Sequence, residues 1–156
     1  MSLFHVFESL EAMPLAQGIR ESVWLFPAIE AVHLLALAAL GGAILIVDLR
    51  LMGTGLTAQS PQSVERDARP WFLGALLVML ATGSPIALSE ASKLYDKQAF
   101  WVKMSALALA LIFSLSIRTR LVDRVQAGSP QAWGLALVSL SLWLTVGLAG
   151  RWIGFS

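Results

Sequence analysis

Two ionisable side chains stand one helical turn apart where a lipid-compatible stretch begins, in Phe26-Pro27-Ala28-Ile29-Glu30-Ala31-Val32-His33. At i, i+3 they share a helix face. The residues after His33 are almost wholly apolar as far as Asp48. Ionisable groups inside a lipid-spanning helix are expensive and tend to be kept for function. A second such group is Lys103, in Phe100-Trp101-Val102-Lys103-Met104, followed on its own face by Ala106, Ala110 and Ser114. Taking about 1.5 Å of rise per residue, Glu30 and Lys103 fall within about one turn in depth if their helices both run inward from one surface. His33 lies roughly one turn deeper, so a Glu–His–Lys cluster is geometrically permitted.

Three chemistries compete for His33. As a neutral imidazole bonded to another helix it would be a structural clasp. As an axial ligand it would hold a b-type haem, whose flat macrocycle needs an imidazole nitrogen and small neighbours such as Ala36 and Gly41. A second axial ligand would be His5, a methionine such as Met104, or His33 of the partner subunit, unless the iron is five-coordinate. Paired with Glu30, and with Lys103, His33 could instead serve a proton or small-solute pathway. A zinc site is disfavoured, because the chain has two histidines in different segments and no cysteine. Lys103 could equally snorkel to the headgroups. Asp48 and Arg50, at i, i+2, do not face each other and read as solvated charges at a helix end.

These residues need elements to position them. The chain of 156 residues is 57% hydrophobic and 13% charged, against about 25% charged for soluble domains. A net charge of +1 gives no argument for nucleic acid. Four apolar runs, at 24–50, 70–91, 98–119 and 131–153, each approach the ~20 residues that a bilayer requires. Short linkers, the third ending in Ala127-Gly128-Ser129-Pro130, predict an all-α, up-down-up-down four-helix bundle forming one transmembrane domain over 1–156. Trp24, Trp71, Trp101, Trp133 and Trp152 fall at span ends, as an aromatic belt would. Linkers one and three carry Arg50, Arg66, Arg69, Arg118, Arg120 and Arg124, so both termini are expected to face outward. Ser84-Pro85 predicts a kink in the second span. Residues 2–18 predict an amphipathic helix with Ser2 as N-cap, lying at the interface or docked on the bundle. With Arg20 the first positive charge, no cleaved signal peptide is expected.

The run from Phe26 to His33, with Gly41-Gly42, Asp48-Leu49-Arg50-Leu51-Met52-Gly53, Arg69-Pro70-Trp71 and Phe100-Trp101-Val102-Lys103, resembles a family of small bacterial four-helix membrane proteins of unknown function. More distantly, a first-helix histidine, an Arg-Leu at the helix end and a Val-Lys opening the third helix resemble the oxygen-independent protoporphyrinogen oxidases. The copper-resistance protein D membrane family is a further distant resemblance. The oxidase likeness implies haem b as cofactor, held at His33, with Lys103 and Arg50 in functional positions and Glu30 beside them. Val47-Asp48-Leu49 stands where that family has aromatic and proline residues before its arginine. The bacterial likeness implies a multi-pass protein of the inner membrane. It is expected to act as a homo-oligomer or beside a partner membrane subunit.

Overall fold

The computed structural model describes residues 3–155. It is 84% helical, with no strand among the described residues. Two short helices come first, α1 (Leu3–Glu11) and α2 (Pro14–Glu21). The single helix expected over 2–18 is broken because Pro14 has no N–H to continue the ladder and holds Met13 extended, at φ −64° and ψ 142°. Ser2, expected as an N-cap, lies outside the described residues, as do the side chains of Leu3 and Phe4.

The long elements are α3 (Leu25–Leu51) and α4 (Pro61–Ser89), then the short α5 (Ala91–Tyr95) and α6 (Gln98–Ile112). A π-helical stretch, Phe113–Arg118, leads through α7 (Thr119–Leu121) and a 3₁₀ turn, Val122–Arg124. The last helix is α8 (Pro130–Ile153). Four segments are long and apolar enough to cross a bilayer: Leu25–Leu51, Pro61–Ser89, Gln98–Arg124 and Pro130–Ile153. α4 opens nine residues before the expected 70. Ser60 accepts the Ser63 N–H at 3.1 Å, and Pro61 occupies the first helical position, where its missing donor costs nothing. Ser129 and Pro130 repeat the device at α8. α4 continues through both Pro70 and Pro85.

Small residues set how closely the helices approach. Ala110, Ala132 and Ala136 are completely buried and let backbones meet. Leu40, Ile44 and Phe72 fill one part of the core. Val47, Leu51 and Val64 fill another. Large apolar side chains face away from this core, with Leu35 at 72% and Leu77 at 70% exposure. Such a surface is stable only against lipid, so the chain is a membrane protein.

The short N-terminal helices dock on the bundle. Glu11 accepts the Ser92 N–H in the first turn of α5 at 2.9 Å and pairs with Arg20 at 2.6 Å. Phe7 meets Tyr95 and Phe100 edge-on, at 5.4 and 6.2 Å between centroids. At the other end the first and third linkers touch. Gly128 N–H donates to the Leu51 carbonyl at 2.8 Å. Gly53 (φ +81°) lies so close that a Cβ would stand 3.3 Å from the Gly128 Cα. Both the angle and the approach require glycine there.

Candidate functional site

His33 is half-buried on α3, and its Nδ1 lies 2.8 Å from Thr82 Oγ1 on α4. The Thr82 hydroxyl donates its one proton to the Val78 carbonyl, 2.7 Å away, in the usual one-turn back-bond. Its oxygen can then only accept, so the imidazole must donate from Nδ1. In the neutral tautomer the lone pair therefore sits on Nε2. No hydrogen bond to Nε2 occurs among the described residues. Gly83 makes this placement possible, since a Cβ there would lie 3.0 Å from His33 Cε1.

His33 lines a cavity of about 210 Å³ drawn from all four long helices. Leu37 and Leu40 of α3, Met79 and Gly83 of α4, Lys103 and Met104 of α6, and Trp143 and Gly147 of α8 form most of the wall. The lining is apolar apart from His33, Lys103, Ser84 and the Trp143 indole N–H. The Lys103 stem lies across Gly150, where a Cβ would stand 3.5 Å from both Cε and Nζ. Lys103 makes no hydrogen bond or ion pair among the described residues. The cavity thus offers one imidazole nitrogen and one amine in an otherwise apolar chamber.

The structure brings His33 and Lys103 to one chamber but not the other expected partners. Glu30 is exposed on α3, outside the cavity lining and in no ion pair with Lys103. Arg50 is 17 residues further along α3, or about 25 Å. Its Nε donates to the Gln59 carbonyl and secures the first linker. His5 bonds to Glu8 on α1 at 3.3 Å and does not line the cavity. Among the described residues no cluster of three or more His, Cys, Asp or Glu side chains could hold a metal ion.

Sequence reasoning missed a second polar cluster, near the arginine-rich end of the bundle. Asp48, read as a solvated charge, is completely buried. Arg118, taken only as a linker charge, is 3% exposed and faces it at 3.6 Å. Arg118 also holds Glu65, with Nε 3.2 Å from Oε2 and a terminal nitrogen 3.5 Å from Oε1, and donates to Ser139 at 3.4 Å. The correction has a periodic cause. Asp48 continues the buried stripe Leu40, Ile44, Val47, and Glu65 sits between buried Val64 and Ala68. Arg118 is four residues beyond buried Ser114, and the π-helical turn carries both inward. Trp143 ties the two sites together. It lines the cavity and donates to Ser114 at 3.0 Å.

Four apolar helices around a buried polar core define an integral membrane protein of all-α architecture. Residues 25–156 match the family of unknown function DUF6644, and the chain belongs to it. No curated protein and no solved structure matches the chain.

Proposed function

We propose that the chain is a b-type haem-binding membrane protein, with His33 Nε2 as axial ligand, serving electron transfer or porphyrin-linked redox chemistry. The observation that carries the reading is the Thr82–His33 bond. It occupies Nδ1–H and leaves the Nε2 lone pair for the cavity, as when an acceptor behind a ligating histidine fixes its ring. Lys103 supplies a cation on the same wall for a propionate carboxylate. The donor chemistry therefore fits haem. The enclosed volume of about 210 Å³ is smaller than the roughly 300–1,000 Å³ of pockets for drug-sized ligands. Leu37, Leu80 and Met104 line the cavity and are each over a third exposed, so it reaches the lipid face past them. Bound iron would supply one-electron chemistry; His33 would hold it and Lys103 would neutralise a carboxylate.

On this reading the termini face outward from a bacterial inner membrane, the orientation that the arginine-rich linkers favour; the cavity would then lie in the outer leaflet. Protein purified in mild detergent, from cells with adequate haem supply, tests the reading. A Soret band that shifts on dithionite reduction and is lost in His33→Ala is expected. A colourless preparation overturns it. In that case the proton or solute pathway gains, since Trp143 joins the cavity to the buried charges. A pH-dependent flux into vesicles, lost in Glu30→Gln, would be its signature.

A further inference from the structure

The buried charges at the arginine-rich end do not balance. Asp48 and Glu65 face the single guanidinium of Arg118, so with both carboxyls ionised the cluster carries one uncompensated negative charge. Every element packed around it contributes a group. Asp48 comes from α3, Glu65 and Arg69 from α4, Ser114 and Arg118 from the π-helical stretch, Thr119 from α7, and Ser139 from α8. None of these adds a buried positive charge, because Arg69 is exposed and its charge is solvated. Asp48 is the strained member. It is 0% exposed, the guanidinium stands 3.6 Å away, and neither of its oxygens has a hydrogen-bond partner within bonding distance. A buried net charge in a lipid-spanning bundle is too costly to persist, so the cluster must acquire a positive charge. A proton shared by the two carboxyls supplies that charge without any further ligand.

The space also shows how a proton arrives. A cavity of about 10 Å³, close to the size of one water, is bounded by Glu65, Ser114, Arg118 and Thr119. Beyond it lies a polar recess of about 370 Å³, lined by Ser60, Gln62, Ser63, Arg66 and Asp123. Glu65, Arg69 and Thr119 line both. We propose that Asp48 and Glu65 form a proton-binding site, holding one exchangeable proton that enters from this recess by way of Glu65. A hydronium ion in the recess gives its proton to a Glu65 oxygen, leaving water behind, and the pair shares the proton against Arg118. The site is independent of what the His33 cavity binds.

Infrared difference spectroscopy of the full chain in lipid membranes tests it. The wild type should show the carbonyl stretch of one protonated carboxyl, and this band should shift to lower frequency in D₂O. It should vanish in Asp48→Asn and in Glu65→Gln, where one carboxylate remains and Arg118 matches it one to one. It should survive in Glu30→Gln. Carbon-13 labelling of aspartate or glutamate carboxyls in the wild type shows without any variant which residue type carries the proton. Asp48 and Glu65 are the buried carboxyls of the two types among the described residues, so a misfolded mutant leaves the test intact. Absence of the band, a band that ignores both substitutions and both labels, or one that does not shift in D₂O overturns the proposal.

Discussion

Replacing Arg118 by methionine removes the only buried cation among the described residues of the charge cluster and leaves Asp48 and Glu65 facing each other. The guanidinium makes its contacts with Glu65 at 3.2 and 3.5 Å, with Asp48 at 3.6 Å and with Ser139 at 3.4 Å. Its two carboxylate partners are 0% and 8% exposed, so solvent compensates poorly for its loss. Breaking a buried pair by removing one partner typically costs about 3–5 kcal/mol, most of it the penalty of stranded charge. Arg118→Met should therefore lose about 3–5 kcal/mol in denaturant unfolding from detergent micelles. The deficit should shrink on acidification. Acid neutralises the negative charge that the substitution strands. Neutralising all three groups, as Asp48→Asn, Glu65→Gln and Arg118→Met together, should recover most of the loss. A loss under about 1 kcal/mol, or a triple variant no better than the single, would refute the reasoning.

Other perturbations probe the remaining contacts. Glu11→Gln should release α1 and α2 from the bundle, seen as faster hydrogen exchange of their amides with the four long helices unaffected. In the wild type, hydrogen bonds from Ser92, with Arg20 adding its charge, hold the Glu11 carboxyl below the usual carboxylate range. Its contribution to docking is present above the unfolded-state value and is lost as pH falls through the lowered one. Protease sensitivity of the Ser22–Trp24 turn should accordingly rise only in acid. Gly83→Ala places a Cβ 3.0 Å from His33 Cε1. It should weaken ligation at His33 roughly tenfold, or ~1.4 kcal/mol, measured by haem titration. A change confined to thermal stability would speak against that role.

Four spans were legible because lipid imposes one requirement on length and composition, and 24–50 became Leu25–Leu51 with little change. The early start of α4 was legible only in its cap. Ser60-Pro61 marks the helix, but Glu65, Arg66, Asp67 and Arg69 hide it from any reading of hydropathy. The His33–Lys103 chamber was readable as similar depth on two helices. Its orientation depends on Thr82, and a threonine amid apolar neighbours gives no sign that it points at an imidazole. Asp48 and Arg118 lie 70 residues apart and each ends a span, where a charge is ordinarily solvated. Only the packing of α3 on its neighbours shows that both ends turn inward. The phase was nonetheless present, in the spacing of Asp48 from Leu40 and Ile44 and of Arg118 from Ala110 and Ser114.

The most direct test of the central claim is imidazole rescue of His33→Gly. If His33 Nε2 is the axial ligand, this variant should be purified without a Soret band. Imidazole supplied with haem in solution should then occupy the vacated space beside Thr82 and restore the band. Alanine at Thr82 in the same background should weaken the rescue. A Soret band unchanged in His33→Gly, or one absent from the wild type with adequate haem supply, would contradict the account.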